Sequence, residues 1–479
     1  MTIQKIDTAT TTRIEHDLLG EREVPAQAYY GVHTLRAVEN FPISGTAIGI
    51  YPDLIQALAC IKEAAARANH DLGLLDAVRA DAIVRACREL RAGRLHEQFV
   101  VDVIQGGAGT STNMNANEVI ANRALELLGH AKGEYQHLHP NDHVNLSQST
   151  NDVYPTALKL AAHFGILRLV EAMTVLRRSF ERKATEFADV LKMGRTQLQD
   201  AVPMTLGQEF STYATMLGED EERLREAVAL VHEINLGGTA IGTGITAHPE
   251  YAARVREHLA QVTGIALVTA PNLIEATQDC GAFVQLSGVL KRVAVKLSKT
   301  CNDLRLLSSG PRAGLGEINL PPMQAGSSIM PGKVNPVIPE VVNQIAFEVI
   351  GNDITVSFAA EAGQLQLNAF EPIIAHSLFK SVTHLRNGCL TLAERCVDGI
   401  TANREHLSAL VRDSIGVVTA LNPYIGYKQA TAVAREAHAT GGSVYRIVLD
   451  KGLLTQAQLD HLLRPEALTT PQVLDLAGR

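Results

Sequence analysis

Apolar residues in steps of three and four dominate the middle of the chain. The first series starts at Leu158 and continues through Ala162, Ile166, Leu169, Met173, Leu176 and Phe180. A second series runs through Leu286, Leu290, Val293, Leu297, Cys301 and Leu304, and a third follows Pro339 through Val342, Ile345 and Val349. This spacing is typical of amphipathic helices, whereas the alternation that marks strands is scarce. The pattern therefore predicts a mainly α protein built on long helices.

The first two series also have apolar residues away from the main face. Leu160, Leu167 and Val175 accompany the first series, and Val289 and Val295 accompany the second. A helix that is apolar on several sides needs neighbours on several sides. We therefore expect a bundle of long helices, and an oligomer in which helices of different subunits pack together.

The pattern changes twice along the chain, which predicts three regions. Residues 1–149 are mixed and turn-rich, and residues 150–405 hold the long helical series. Residues 406–479 have shorter helical patterns that are broken by turn sequences such as LNPYIGY. We expect an N-terminal domain, a central long-helix domain and a small C-terminal helical domain with these boundaries.

The composition restricts the classes of partner. The chain has 479 residues, 46% of them hydrophobic, and a formal net charge of −8. That length is ample for a large core. A negative balance argues against nucleic acid and anionic membranes as partners, because both require a basic face. A small anionic substrate remains compatible with the charge, since its site needs only a few local cations and N–H groups.

The cysteines and the N-terminal segment indicate the compartment. Six cysteines are scattered without a CxxC pair, which fits free thiols in a reducing cytosol better than a disulfide framework. The segment MTIQKIDTATTTRIEHD lacks the apolar core of a signal peptide, and no later run of about 18 apolar residues could span a membrane. We therefore expect a soluble, cytoplasmic protein.

Two glycine-rich stretches look like nucleotide-binding loops but do not meet the requirements of such loops. Five residues separate Gly326 from Gly332, where a Walker loop has four, and Val334 stands where a magnesium-binding Ser or Thr is needed. The match of Gly242 to Ala247 with G-x-G-x-x-A follows a helical run rather than a strand. Neither stretch therefore predicts a nucleotide site.

Three histidines lie close together in the stretch QHLHPNDHVN, at His137, His139 and His143. No HExxH motif and no Cys/His spacing of a zinc site accompanies them. We interpret the cluster as part of a solvated turn, and we expect no metal site for catalysis.

Four other stretches concentrate Ser, Thr, Asn or Gln beside glycine or at the start of a helical run. They are GGAGTSTNMN (106–115), SQSTND (147–152), GRTQLQD (194–200) and GSSIMPGKVNP (326–336). Taken singly, such residues are usually helix caps or turn formers. Taken together, they supply many neutral donors and a few cations, of which Lys333 is the best placed. Hydroxyls, amides, backbone N–H groups and a lysine are a suitable set for holding a dicarboxylate.

GSSIMPGKVNP resembles the signature GSSxMxxKxNP of the aspartase/fumarase superfamily, and the other three stretches resemble its remaining signature regions in the same order. The likeness runs from RIEHDLLGEREVPAQAYYGVHTLRAVENFPIS to LNPYIGYKQATAVAREA, nearly end to end. It implies a three-domain, mainly α fold with a central bundle of long helices. It also implies a homotetramer with a tetrameric helical core, in which each site draws residues from three subunits.

The resemblance assigns the catalytic base to Ser327, acting as an alkoxide on a mobile loop. Members of the superfamily remove a proton from the carbon next to a carboxylate and expel a group from the adjacent carbon. A serine alkoxide is plausible only where backbone N–H groups and a nearby cation stabilise it. Gly326, Pro331 and Gly332 then fit as backbone constraints of a loop that closes over substrate, and Ser328 adds a backbone N–H.

The remaining site residues are assigned by the same resemblance to the two carboxylates and the leaving group. One carboxylate is assigned to Thr196, Lys333 and Asn335, and the other, which becomes the aci-anion, to Thr110, Ser149 and Thr150. Asn151 is expected to face the leaving group together with Thr110.

Gln197 bears on the identity of the leaving group. Hydratases of this superfamily have His at this position, paired with a Glu; this chain has Gln197, although Glu340 is present. A hydroxide leaving group needs a proton donor, whereas ammonia departs as a neutral molecule with little acid assistance. A glutamine can hydrogen-bond a substrate but cannot transfer a proton at neutral pH.

We therefore expect reversible elimination of ammonia from L-aspartate to give fumarate, without an organic cofactor. KMGRTQLQDAVPMTLGQEF and LLSSGPRAGLGEINLP also resemble the ammonia-eliminating branch of the superfamily more than its hydratases. The alternatives are a class II fumarate hydratase, which converts malate to fumarate, and a structural homologue of the crystallin kind. The joint presence of Ser327, Lys333 and Asn335 argues against a purely structural role.

Overall fold

A computed structural model describes residues 11–471 of the chain. None of the helices in this range combines the length and the apolar character that a membrane crossing requires. In chain order the helices are α1 (Val32–Asn40), α2 (Pro52–Asp71), α3 (Ala77–Arg91), α4 (Thr110–Leu127), α5 (Thr150–Glu186), α6 (Leu206–Ala229), α7 (Tyr251–Thr263), α8 (Leu273–Ala276), α9 (Gly281–Leu307), α10 (Val337–Glu361), α11 (Glu371–Arg395), α12 (Arg404–Asp413), α13 (Val418–Ile425), α14 (Tyr427–Thr440), α15 (Val444–Asp450), α16 (Gln456–Leu462) and α17 (Pro465–Thr469).

The strands between residues 11 and 471 form four small two-stranded sheets. They are β1 (Thr12–Asp17), β2 (Gly20–Pro25), β3 (Leu191–Thr196), β4 (Gln199–Thr205), β5 (Glu233–Ile234), β6 (Val268–Thr269), β7 (Ile318–Asn319) and β8 (Thr401–Ala402). The pairs β1–β2, β3–β4 and β7–β8 are antiparallel, and β5–β6 is parallel. The mainly α class predicted from the sequence is confirmed.

The three helices predicted from the apolar periodicity are present and longer than their patterns. They are α5 with 37 residues, α9 with 27 and α10 with 25. Helices α6 and α11 are of similar length, with 24 and 25 residues. The long helices therefore form the framework of the chain, as the spacing indicated.

The chain divides into two compact units that are each assembled from separate segments. The first comprises residues 1–170, 222–292 and 347–385, and the second comprises 171–221, 293–346 and 386–479. The division into consecutive domains at 149 and 405 stays a prediction.

In the first unit, α2 is an alanine-rich helix that is buried on nearly all sides. Its sequence PDLIQALACIKEAAARANHD places small residues against α3 and α7, so that neighbouring helices can approach closely. Leu54, Ile55, Leu58 and Ile61 are fully or almost fully buried. Burial of such side chains contributes about 1.5–3 kcal/mol each, which makes α2 the centre of this core.

The N-terminus of α1 is held by the buried carboxylate of Glu118 on α4. Glu118 accepts backbone N–H bonds from Gly31 at 2.8 Å, from His33 at 2.8 Å and from Thr34 at 3.1 Å. The N–H of Val32 is bonded instead to Glu15 at 2.8 Å. The first N–H groups of a helix have no partner within the helix, and a carboxylate there is also favoured by the helix dipole. Glu118 therefore fixes α1 against α4.

In the second unit, aromatic rings and aliphatic side chains form two packed clusters. Phe180, Phe187, Phe210 and Tyr213 contact one another with ring centroids 5.4 to 6.0 Å apart. Farther along the chain, a second cluster of small helices packs around Leu421, Val433, Ala437, Val444, Ile447, Val448 and Leu459. The shorter helices expected after residue 406 are therefore present and have a core of their own.

We expect Glu118→Gln to lower the melting temperature of the protein. The amide would direct an NH₂ group at backbone N–H donors and leave at least one of them buried without an acceptor, at a cost of about 1–3 kcal/mol. Thermal unfolding followed by circular dichroism would measure the effect. Glu97→Gln is the control, since Glu97 is exposed. Equal melting temperatures for the two variants would contradict the role given to Glu118.

Candidate active site

The stretch 326–336 is an irregular loop that folds back on itself just before α10. The N–H of Gly326 donates to the carbonyl of Lys333 at 2.7 Å, and the side-chain amide of Asn335 donates to the carbonyl of Gly326 at 2.8 Å. A Cβ on Gly326 would lie 2.8 Å from both the Asn335 nitrogen and the Lys333 oxygen, so only glycine fits here. Gly332 has a φ of +79°, which also favours glycine. Because Gly326 is bonded to Lys333, Ser327, which follows Gly326, lies at the same end of the loop as Lys333.

The hydroxyl oxygen of Ser327 accepts two backbone hydrogen bonds within its own loop. The N–H of Met330 donates to Ser327 Oγ at 2.8 Å, and the N–H of Ile329 donates at 3.1 Å. Two donors directed at one oxygen favour its anionic form. The geometry therefore supplies the backbone N–H part of the stabilisation that a serine base would require. Ser328 and Lys333 are exposed beside it, and Asn335 is half-buried.

Thr196 and Gln197 lie at the tip of the β3–β4 hairpin. Thr196 pairs with Gln199, and Gln197 and Leu198 form the two-residue turn between them. Both turn residues have left-handed backbones, with φ of 54° and 63°. This conformation suits the twist of a tight hairpin, although Asn-Gly is the sequence usually found there. The periodicity of the sequence did not predict the hairpin, and the structure leaves its tip exposed.

A buried ion cluster holds the base of this hairpin. Glu317 is fully buried and forms ion pairs with Arg195 and, at 2.7 Å, with Lys192. Lys192 also donates to Glu209 at 2.6 Å. Burial is the main cause that raises the pKa of Glu209, and the charge of Lys192 opposes it. Because Arg195 directly precedes Thr196, the cluster fixes the direction of the hairpin tip.

Thr110 begins α4 directly after a glycine-rich turn. Its hydroxyl and its N–H both donate to the carbonyl of Gly107, at 2.7 and 3.0 Å. Gly109 lies against the ring of Tyr154, where a Cβ would come within 2.3 Å of a ring carbon. This contact fixes the position of the start of α4. Thr110 is half-buried there.

The rest of the stretch 106–115 is mainly structural. Thr112 donates to Gln105 at 2.9 Å, and Asn115 donates to the carbonyl of Gln98 at 2.9 Å. Both are buried. Their hydrogen bonds satisfy interior polar groups, whereas the Thr110 side chain is half-buried.

Ser149, Thr150 and Asn151 form the start of α5. The Ser149 hydroxyl accepts the N–H of Asn151 at 3.2 Å, and the Ser149 N–H donates to Asp152 at 3.0 Å. Asp152 is buried and accepts two further N–H bonds, from Gly237 at 3.0 Å and Thr239 at 2.9 Å. Burial raises the pKa of Asp152 to about 6, although these hydrogen bonds oppose the shift.

A buried lysine that the sequence interpretation missed lies beneath this segment. Lys62 of α2 donates to the amide oxygens of Asn145 and Gln148, each at 2.9 Å. Asn113 donates to the same Asn145 oxygen and to the Thr150 hydroxyl, each at 3.1 Å. Burial lowers the pKa of Lys62 to about 7, and the charge of Asp152 opposes that shift. The available signal was a charged residue inside an otherwise small and apolar helical stretch, LIQALACIKEAAARA.

All ten predicted site residues are described, and they fall into two groups. Thr110, Ser149, Thr150 and Asn151 belong to the first unit, and the other six belong to the second. Asn113 lies one turn after Thr110 and bonds Thr150, so the first turns of α4 and α5 meet in the first unit. Asn151 donates to the carbonyl of Ala240 at 2.7 Å.

The histidines of QHLHPNDHVN do not act as one cluster. The ring of His139 accepts the N–H groups of Asn141 and Asp142, at 3.1 and 3.3 Å, and the ring of His143 accepts the N–H of His139 at 2.8 Å. Burial lowers the pKa of His143. These two rings cap the turn, whereas His137 stacks on His130 with a centroid separation of 3.8 Å.

Family models and curated relatives agree on the family to which the chain is similar. A model described as Lyase matches residues 20–351, and one described as Fumarase C C-terminus matches residues 417–470. An aspartate ammonia-lyase of Helicobacter pylori is 60% identical over 459 residues, which are 96% of this chain and 98% of that protein. Aspartate ammonia-lyases of Pseudomonas fluorescens and Escherichia coli are 59% and 58% identical; they cover 99% and 96% of this chain, and the matches span 99% and 96% of those proteins.

Solved structures match over nearly the full length as well. A fumarate lyase:delta crystallin from Brucella melitensis bound to cobalt has 57% identity and a TM-score of 0.94, and the match covers 96% of this chain and 100% of that one. A class II fumarase from Schistosoma mansoni has 35% identity and a TM-score of 0.91, with 97% and 100% coverage. On these matches, the chain belongs to the aspartase/fumarase superfamily of lyases.

Proposed function

We propose that the protein is an aspartate ammonia-lyase that converts L-aspartate reversibly to fumarate and ammonia. The observation that carries this proposal is the identity of about 60% with proteins of that name over nearly the whole of both chains. We propose no organic cofactor, because Ser327 supplies the base and the hydroxyl, amide and ammonium donors of the chain stabilise the charge that forms.

Ser327 is the base that removes the C3 proton of aspartate. The N–H groups of Ile329 and Met330 support its alkoxide at 3.1 and 2.8 Å. The electrons of the C–H bond move into the adjacent carboxylate, which becomes a doubly charged aci-carboxylate. When these electrons return to form the double bond between C2 and C3, the C2–N bond breaks and the ammonium group leaves as neutral ammonia. Preorganised donors around that carboxylate stabilise the charge as an oxyanion hole does.

Two groups of donors hold the substrate carboxylates. Lys333, Asn335 and Thr196 bind one carboxylate, and a backbone N–H of Ser328 adds to them. The carboxylate that becomes the aci-anion contacts Thr110, Ser149 and Thr150 at the helix N-termini of α4 and α5, where N–H groups and helix dipoles favour negative charge. Asn151 and Thr110 face the amino group.

Gln197 supports ammonia rather than water as the leaving group. Its amide lies at the exposed tip of the hairpin, next to Thr196, and can donate or accept a hydrogen bond without changing its protonation state. A class II fumarate hydratase would need a proton donor for hydroxide. The Schistosoma mansoni class II fumarase has only 35% identity with this chain, which also favours the ammonia-lyase.

The functional form is a homotetramer whose sites combine residues of three subunits. The support for an oligomer is a stripe of exposed apolar side chains on α10, where Phe347 is 62%, Ile354 54% and Phe358 70% exposed in the single chain. Leu167 and Val175 of α5 and Val295 of α9 are likewise exposed. Exposed apolar patches of this extent normally lie in interfaces. Within each subunit we retain the domain boundaries at 149 and 405.

The reducing cytoplasm is the compartment that suits this chain best. All six cysteines are free and buried, at positions 60, 87, 280, 301, 389 and 396. Burial raises the pKa of the thiol groups of Cys60 and Cys280 to about 11 and about 12. Protonated, buried thiols serve as small apolar side chains and are unreactive.

We expect the purified protein to form fumarate from L-aspartate and not from L-malate. The reason is that Gln197 cannot supply the proton that departing hydroxide requires. The measurement is the increase in ultraviolet absorbance of fumarate with each substrate in turn. Activity with malate alone would identify a hydratase, and the absence of activity with both would reject the proposed reaction in either form.

Ser327→Ala should lower turnover at least about a hundredfold, because general-base catalysis contributes that much or more. The oligomeric mass should be unchanged, since the hydroxyl accepts bonds only from its own loop. Steady-state kinetics and size-exclusion chromatography with light scattering provide both readouts. Ser211→Ala on α6 is the matched control at an exposed serine. Retained turnover in a correctly assembled Ser327→Ala protein would exclude the serine as the base.

Phe358→Asp should dissociate the oligomer and remove activity with it. A carboxylate would be buried without a partner in an apolar interface, which costs several kcal/mol. Light scattering reports the mass and circular dichroism the helix content, which should be retained. Tyr427→Asp is the control, because Tyr427 is 79% exposed outside the stripe. An unchanged mass for Phe358→Asp would mean that α10 does not form the interface.

A further inference from the structure

A compact group of three metal-binding side chains lies on the loop that follows α4. The side chains belong to His130, Glu134 and His137, and one ligand atom from each lies within 4.8 Å of the other two. The rings of His130 and His137 are stacked, with centroids 3.8 Å apart and an interplanar angle of 9°. His130 Nδ1 is 3.5 Å from the Glu134 carboxylate. None of the three belongs to the proposed catalytic machinery.

We propose that His130, Glu134 and His137 bind one divalent transition-metal ion, of the kind represented by Zn²⁺ and Co²⁺. Two imidazoles and one carboxylate are a common ligand set for Zn²⁺, with metal distances of about 2.0–2.2 Å. Ligand atoms around a tetrahedral ion at those distances are about 3.4 Å apart. His130 Nδ1 and the Glu134 carboxylate, 3.5 Å apart, are already close to that separation, and the His137 ligand atom lies within 4.8 Å of both. The two stacked histidine rings must tilt apart so that both can direct a nitrogen lone pair at the same ion. Mg²⁺ and Ca²⁺ prefer all-oxygen sites, so these ions are poor candidates.

The backbone of the loop is fixed by hydrogen bonds that do not use the proposed ligand atoms of the histidines. The N–H of His130 bonds the carbonyl of Leu125 at 2.9 Å, and the carbonyl of His137 accepts the Arg79 guanidinium at 2.6 Å. The N–H of Gly133 donates to the side chain of Asn122 at 2.8 Å. Only side-chain rotations are then needed to complete the site, which lowers the entropic cost of binding.

Glu134 is held in the orientation that the site needs. Its carboxylate accepts the N–H of Ala131 at 3.0 Å, which places it on the same side of the loop as His130. A carboxylate oxygen has two lone pairs, so this bond does not prevent coordination. Glu134 and both histidines are at least partly exposed, so an ion can reach them and water can complete its coordination.

The test is isothermal titration of EDTA-treated, full-length protein with Zn²⁺, for the native chain and for His130→Ala, His137→Ala and Glu134→Gln. We expect saturable binding of one ion per chain in the native protein that excess Mg²⁺ does not displace. Each variant should bind at least about tenfold more weakly, since even outer partners of metal ligands are worth 10–100-fold. His438→Ala, at an exposed histidine on α14, should bind as the native protein does.

A second readout uses Co²⁺, whose visible absorption depends on its ligands. The native protein should develop a cobalt spectrum that His130→Ala and His137→Ala lose. Circular dichroism of each variant verifies that the loss is not caused by unfolding. Native protein without saturable Zn²⁺ binding, or variants that bind Zn²⁺ as tightly as the native chain, would overturn the site. Neither result depends on catalytic turnover, so the test is independent of the proposed reaction.

Discussion

The buried amino group of Lys62 is the polar group around which the candidate site residues at the start of α5 are organised. It is fully buried, and its two amide acceptors, Asn145 and Gln148, are each 2.9 Å away. A buried amino group without such acceptors would be costly whether it is protonated or neutral, so the chain before α5 must keep these amides in place. Because Asn145 also accepts from Asn113, which in turn bonds Thr150, the requirement extends to the start of α5. The hydroxyl of Thr150 is thus positioned by the buried Lys62 through Asn145 and Asn113.

The second unit is also organised around a buried polar group, which here is a carboxylate. Glu317 is a fully buried carboxylate, and the two cations paired with it, Lys192 and Arg195, both lie on β3. Its main-chain carbonyl also accepts the N–H of Asn403 at 3.0 Å. Buried ion pairs contribute little net stability but strongly penalise arrangements in which one partner is lost. The ion pairs of Glu317 with Lys192 and Arg195 therefore hold the hairpin tip, with Thr196 and Gln197, in one position.

The sequence was sufficient to predict three of the long helices but not the side chains that support the candidate site. The series from Leu158, Leu286 and Pro339 predicted α5, α9 and α10 because burial of one face imposes a period of three to four. The β3–β4 hairpin escaped prediction because its turn is Gln-Leu rather than a sequence rich in glycine or asparagine.

The network around Lys62 escaped for a different reason. Lys62 and Gln148 are 86 residues apart in the sequence, so no local pattern links the two side chains. The site residues themselves were identified by resemblance to a superfamily, because Ser149 and Thr110 are indistinguishable from ordinary helix starters when taken one at a time. What the fold adds is the reason that these particular hydroxyls are held in place.

The turn at Gln197 and Leu198 combines a left-handed backbone with an amide side chain at the tip of the hairpin. A left-handed backbone costs a residue other than glycine roughly 1–2 kcal/mol, and two such residues follow each other here. Asn-Gly at the same positions would form the turn at lower cost. Gln197 places an amide side chain at this tip, next to Thr196. An amide can hydrogen-bond a ligand but cannot protonate a departing oxygen at neutral pH, which fits the departure of neutral ammonia better than that of hydroxide.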